Sequence, residues 1–366
     1  MQVRAAVLRA PGAPLAIERL ELDDPGPGEV LVEVKAAGVC HSDLHAAAGD
    51  WSMRTPLVLG HEGAGIVRAI APDVTRVRPG DPVVFCWAPS CGACPPCRDG
   101  QAVLCDRLEK TTFRNRLPAG VTRLHNGAER VGAFLGTACF ADHAVVAEDG
   151  AIPVPGDVPF DALAALGCAV VTGVGAVANA ARVRAGSTVA VVGAGGVGLN
   201  VVQAAKLADC SRIVVIDRRQ APLTVARTFG ATDVVEAPAS IPDAVRELTG
   251  GRGADYVFDT VGSPSTVVDA VAAARKGGTV VVTGLGPYDA VASLPMFPFV
   301  MQEKRIIGSV YGSGRPADDI ARLAALYRDG RLKLRELVSR TYSLDQINEA
   351  FAALARADGA RGVIRW

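Results

Sequence analysis

Hydrophobic and polar positions follow two different rhythms along this chain. Up to about residue 160 the apolar runs are short and broken by Gly and Pro. EVLVEVKAAGV, GAGIVRAI, DPVVFCW and ADHAVVAE are separated by turn clusters such as DDPGPGE and RPGD. Short alternating segments bounded by turn residues predict a compact, mainly β domain. Near residue 170 the rhythm changes. TVAVVGAGGVG, RIVVIDRR, TDVVEA, ADYVFDTVG and GTVVVTGLG are near-continuous apolar runs, and they alternate with the Ala-rich helical stretches LNVVQAAKLA and PLTVARTFG. That alternation predicts an α/β fold with a parallel, doubly wound sheet of the Rossmann type. Beyond residue 311 come two amphipathic helices, ADDIARLAALYRDG and LDQINEAFAALARA, and a last strand, GVIRW. The chain therefore reads as segments 1–168, 169–311 and 312–366.

Composition narrows what such a protein can do. The 366 residues are 49% hydrophobic and 21% charged, enough to bury a sizeable core. Lys plus Arg equals Asp plus Glu, 38 against 38. This balance gives no electrostatic reason to expect nucleic acid or an anionic membrane as partner. The start, MQVRAAVLRAPGAPL, lacks the pattern of a signal peptide, so the expected location is the cytoplasm. Thiols stay reduced there, and nine cysteines suit a metal better than a disulfide framework.

Gly193, Gly195 and Gly198 form the pattern G-x-G-x-x-G, with Gly196 and Val197 inside it. The pattern follows a predicted strand and opens a predicted helix, the context its mechanism requires. Gly193 permits the tight turn, Gly195 the approach of a pyrophosphate, and Gly198 close packing of helix on sheet. The helix N-terminus offers free N–H groups to the phosphates. Asp217 ends the next strand, where an acid accepts hydrogen bonds from the adenosine ribose. Its charge favours NAD over NADP, a preference that the adjacent Arg218 and Arg219 temper.

Cys91, Cys94, Cys97 and Cys105 follow C-x2-C-x2-C-x7-C. Four thiolates close a tetrahedral zinc shell and brace a loop, leaving no open position for a substrate. A second set is dispersed. GVCHSDLH carries Cys40, LGHEGAG carries His61 beside Glu62, and GCAVVTG carries Cys168. Singly, each reads as an ordinary buried residue. Together two sulfurs and one nitrogen make a catalytic zinc shell with its fourth position open, able to bind an alcohol or carbonyl oxygen.

These motifs together resemble the zinc-dependent, medium-chain alcohol dehydrogenases, and the resemblance covers nearly the whole chain. It implies a GroES-like catalytic domain to which the last segment returns, and two zinc ions per chain. It implies Cys40, His61 and Cys168 as catalytic zinc ligands, Glu62 as the acid behind the metal, and Asp43 as the carboxylate orienting His61. Ser42 takes the substrate hydroxyl proton and His45 passes it towards solvent. His41, Thr172 and Arg361 contact the cofactor. Trp51, Trp87, Phe134 and Leu135 fall at positions lining the substrate pocket. Their aromatic character suits a bulky or aromatic primary alcohol and its aldehyde. The length from Cys105 to Phe140 matches the dimeric long forms, so a homodimer is expected.

Other readings stay open at this point. Oxidation of a hydroxymethyl adduct of a thiol cofactor is one, although Trp51 replaces the charged group that the glutathione version needs. A zinc-free quinone or enoyl reductase conflicts with the intact Cys40, His61 and Cys168 set. A nucleic-acid-binding zinc module lacks a basic cluster, and a non-enzymatic NAD sensor would have no use for the proton path.

Overall fold

The structure, a computed structural model, describes residues 1–237 and 240–366. The chain divides into two compact units. One comprises Met1–Cys168 with Arg315–Trp366, and the other Ala169–Gly314. Among the described residues no single helix is long and apolar enough to cross a membrane.

The first unit is mainly β. Five strands, Gln2–Leu8, Ala16–Leu22, Leu124–Asn126, Glu129–Ala133 and Leu57–Val58, close into a barrel. A larger sheet is built round Glu29–Val39, which pairs with Glu62–Ile70, with His143–Ala147 and with the C-terminal Arg361–Arg365. Alternation explains the central strand. Val30, Val32 and Val34 face the core at 0% exposure while Leu31, Glu33 and Lys35 are less buried. The C-terminal strand returns because it continues this sheet, with Gly362 opposite Val39 and Ile364 opposite Ala37. The helix Ile347–Ala355 reinforces that return. Its Phe351 meets Phe140 edge-to-face at 6.0 Å, and Phe140 is fully buried. Burial of one such ring stabilises by roughly 1.5–3 kcal/mol.

The second unit is a six-stranded, wholly parallel sheet. In spatial order its strands are Asp233–Glu236, Arg212–Asp217, Thr188–Val192, Ala254–Asp259, Ala274–Val282 and Arg305–Gly308. This is the doubly wound order in which the chain reverses direction beside its first strand, so the turn after Thr188–Val192 lies at the switch point. The apolar runs read from the sequence become the central strands, covered on one face by the helices Gly196–Leu207 and Gln220–Phe229 and on the other by Ile241–Leu248 and Pro264–Ala273.

Candidate active site and metal centres

Cys40 is the N-cap of a short helix, His41–Ala48, and Asp43 closes that cap by accepting the Cys40 N–H at 3.1 Å. Asp43 is completely buried, so its remaining lone pairs need partners. They find them far along the chain. Its Oδ1 accepts the Gly60 N–H at 3.0 Å and the His61 ring at Nδ1, 3.1 Å. One carboxylate thus joins the helix carrying Cys40 to the strand entrance carrying His61. Because Nδ1 donates to Asp43, the other ring nitrogen, Nε2, is turned towards the thiols, and it is buried without a hydrogen-bond partner.

Cys40, His61, Glu62 and Cys168 place one donor atom each within 4.8 Å of one another. The sulfurs of Cys40 and Cys168 lie side by side in this cluster. The hydrogen bond with Cys168 holds the Cys40 thiol well below its usual range in spite of burial, and the same bond together with burial pushes Cys168 well up. Burial alone would hold the His61 ring down, but the charge of Asp43 and its hydrogen bond outweigh it and push the ring well up. Two thiols and an imidazole whose buried Nε2 is orphaned form a donor set that a zinc ion fits, with the cation taking the place of these protons. Glu62 lies at 0% exposure with neither carboxylate oxygen hydrogen-bonded. Burial pushes it up to about 8, against the opposing charge of Arg361. Arg361 approaches it at 3.4 Å and also donates to the Val39 carbonyl at 2.9 Å. The arginine that the resemblance places at the cofactor pyrophosphate is 5% exposed and packs beside Glu62.

The four-cysteine lobe is built differently. Cys91, Cys94, Cys97 and Cys105 also gather within 4.8 Å, but on short turns at the surface, Pro95–Arg98 and Ala102–Leu104. All four thiols are free. The Ala93 and Cys94 N–H groups hold Cys91 down to about 6, whereas burial and then Cys94 push Cys97 up to about 12. Cys105 accepts the Cys91 N–H at 3.2 Å and lies 3.8 Å from the sulfur of Cys94. Four convergent sulfurs with one already poised as thiolate fit a closed zinc shell.

The remaining predicted residues divide. Ser42 and His45 lie on the helix that starts at Cys40, and His41 is exposed at its first turn. Phe134 sits edge-on to the His61 ring at 5.7 Å and is fully buried. Leu135 follows it with φ 50, its N–H held by the Asn115 side chain at 3.2 Å. Trp87 is nine-tenths buried and tilts on Phe113 at 6.3 Å. Trp51 stacks on His45. Thr172 belongs to the second unit, buried in the helix Ala169–Gly175. Sequence reading overlooked Asn115, which also reaches the Met53 sulfur at 3.5 Å, and Asp50, which bonds His45. Only the Gly before Asp50, a helix-stop signal, marked that region.

In the second unit Gly193 turns with φ 97 at the end of its strand, a backbone conformation that a side chain would strain. Gly195 is the N-cap of the helix Gly196–Leu207, so Val197 and Gly198 form its first turn. A Cβ on Gly198 would collide with the Gly193 carbonyl. Asp217 accepts the Ala194 N–H at 2.8 Å and the Arg219 N–H at 3.1 Å, so its carboxylate braces the turn as well as standing at the strand end. Arg218 is exposed beside it.

The description "Alcohol dehydrogenase GroES-like domain" matches residues 26–156, and "Zinc-binding dehydrogenase" matches residues 196–328. The chain is 40% identical to the NDMA-dependent alcohol dehydrogenase of Amycolatopsis methanolica, over 100% of this chain and 99% of the other. It is 35% identical to an S-(hydroxymethyl)glutathione dehydrogenase of Escherichia coli over the whole of both chains. Among solved structures it resembles the benzyl alcohol dehydrogenase of Acinetobacter calcoaceticus, with a TM-score of 0.94, 32% identity, and coverage of 100% of this chain and 99% of that one.

Proposed function

This chain belongs to the zinc-dependent medium-chain alcohol dehydrogenases, and on that premise we propose that it interconverts a primary, bulky or aromatic alcohol and its aldehyde, with NAD as hydride carrier. That it is an oxidoreductase acting on alcohols follows from the family. The observation that carries the finer reading is the Cys40–His61–Cys168 cluster, with the bare His61 Nε2 turned into it and Phe134 edge-on beside it. Bound there, zinc would supply Lewis-acid polarisation of a hydroxyl or carbonyl oxygen. Cys40, His61 and Cys168 hold the ion, and Asp43 keeps His61 in the tautomer that ligates. Glu62 and Arg361 stand behind the thiols as a buried carboxyl and guanidinium in contact. Ser42 accepts the hydroxyl proton and His45 carries it away. The turn Gly193–Gly198 receives the cofactor phosphates and Asp217 the ribose; NAD supplies the hydride acceptor. Cys91, Cys94, Cys97 and Cys105 hold a second, bracing zinc ion.

The substrate class rests on the aromatic side chains and on likeness to an enzyme named for benzyl alcohol. Steady-state rates on aliphatic and aromatic alcohols, with NAD against NADP, test it. Highest kcat/KM for an aromatic primary alcohol with NAD is expected, and a preference for short aliphatic or secondary alcohols would reject it. The likeness to a hydroxymethylglutathione enzyme favours a second reading, oxidation of a thiol adduct of formaldehyde. Turnover of formaldehyde that requires an added thiol would establish that reading instead.

The protein acts in the cytoplasm as a homodimer in this proposal. Arg305–Gly308 is an edge strand, and the helix Met296–Met301 before it exposes Phe297 at 79% and Met301 at 66%. An unpaired edge next to exposed apolar side chains is a pairing surface for a second copy. Phe297→Asp should yield monomers in sedimentation velocity.

A further inference from the structure

The helix His41–Ala48 ends at Gly49, whose φ of 89 is the left-handed conformation that closes a helix. The N–H groups of Gly49 and Asp50 both return to the His45 carbonyl, at 3.2 and 3.1 Å. That closure folds Asp50 back over the last turn. Its Oδ2 comes to 2.6 Å from Nδ1 of His45. An ionised carboxylate only accepts, so Nδ1 carries the proton and donates it. The other nitrogen, Nε2, then presents a lone pair. Trp51, the next residue, stacks on the same ring with centroids 5.3 Å apart and planes 25° from parallel. One neighbour holds the edge of the imidazole and the next holds its face. The His45 side chain keeps 21% of its surface exposed, so proton exchange with water remains open.

We infer that Asp50 and Trp51 are positioning residues that hold His45 as the Nδ1–H tautomer, with Nε2 as the atom that takes up the proton released from Ser42. The inference rests on the alcohol dehydrogenase reading of Ser42 and His45. The balance is that of a relay. Ser42 releases one proton as it receives the substrate's, Nε2 takes up one at the far end of the relay, and Nε2 then releases one to solvent. Nothing is oxidised or reduced at His45. The contact also gives Trp51 a task besides the expected pocket wall, with one face of its indole on His45.

The test has a spectroscopic arm and a kinetic arm, both on the zinc-loaded full chain. Long-range 15N–1H spectra of protein labelled at its five histidines, with His45 assigned through His45→Gln, report the tautomer in alkaline buffer, where imidazoles are neutral. A pyrrole-type Nδ1 and a pyridine-type Nε2 are expected. Asp50→Leu should mix the tautomers, and Asp50→Asn, whose amide oxygen still accepts, should restore them. Single-turnover oxidation of an alcohol by Asp50→Leu should slow by roughly tenfold, a fraction of the roughly 10²-fold that a positioned general base contributes. KM for NAD should not move. Added imidazole should recover the rate, and Asp50→Asn should recover most of it. Trp51→Leu should slow the same step, and Trp51→Phe, which keeps a ring to stack on His45, should recover most of the rate. A wild-type ring protonated on Nε2, or Asp50→Leu turning over at the wild-type rate while His45→Gln is slow, would overturn the inference. Wild-type speed in His45→Gln would overturn it as well, by removing His45 from the proton path. Failure of the underlying reading looks different, because the wild type would then turn over no alcohol, and the tautomer spectra would still decide whether Asp50 orders the ring.

Discussion

The two cysteine centres of the first unit both gather soft thiol ligands, and the proposal gives them opposite chemistry. In the lobe, four thiols come from one short stretch of surface turns, and their shell is closed by ligands of a single kind. In the other centre Cys40, His61 and Cys168 come from distant parts of the chain, and Glu62 and Arg361 are buried behind them in contact with each other. A closed shell near the surface can brace a loop but not bind substrate. An open shell inside a desolvated pocket strengthens every electrostatic interaction it makes. The difference teaches that the surroundings of the ligands assign the role, not the number of cysteines.

The comparison can be broken most severely at His61. His61→Ala should lower alcohol turnover by about 10³-fold or more, exceeding the loss of a single transition-state hydrogen-bond donor. The lobe should keep its zinc and the protein its fold, so metal analysis should fall from two ions per chain towards one. Full activity would remove His61 from the catalytic set. Asp43→Asn should follow, because an amide cannot satisfy all three N–H donors that the carboxylate now accepts. A loss of about 10–100-fold in activity or zinc affinity is expected, read by turnover against added zinc.

The lobe should respond in the reverse order. Cys91→Ser should lower Tm by several degrees, about 2–4 °C for each kcal/mol lost in a chain of this kind, while activity per folded molecule stays within a few-fold. A variant that keeps its Tm and loses turnover would abolish the distinction between the centres. The smallest effect concerns pH. Cys97 is pushed up to about 12, so it is protonated at neutral pH and zinc must displace that proton. Cys91, held down to about 6, is already mostly thiolate there and gains a proton only on acidification. Zinc affinity of the lobe should therefore rise with pH across the neutral range, and steepen below about 6 as Cys91 adds its proton. Competition with a chromophoric chelator at several pH values measures it, and a flat profile would contradict the assigned protonation.

Legibility in the sequence tracked how local each feature is. The strands Thr188–Val192 and Arg212–Asp217 were readable because parallel strands buried on both faces leave unbroken apolar runs. The helix Met296–Met301 was not, because its short run contains a proline and is apolar without periodicity. Gly193, Gly195 and Gly198 were legible because steric demand at a turn selects glycine within a few residues. The partnership of Asp217 with Ala194, by contrast, leaves no mark, since a carboxylate at a strand end reads the same whether it faces ribose or a backbone N–H. For Arg361 the resemblance named a cofactor contact, but its burial beside Glu62, a contact between distant segments, left no mark in the sequence.

By itself the sequence determined the parallel sheet, the phosphate-binding turn and the four-cysteine lobe, because each is fixed by forces acting between residues close along the chain. Spacing alone could not join Cys40 to His61 and Cys168; their ligand chemistry, and then resemblance to a family, grouped them. What the tertiary structure decided is everything that rests on desolvation and on contacts between distant segments. It turned the His61 nitrogen inwards, set Glu62 against Arg361, and folded Asp50 onto His45. Burial and long-range pairing set the free energy of those groups, and neither is written in any single stretch of residues.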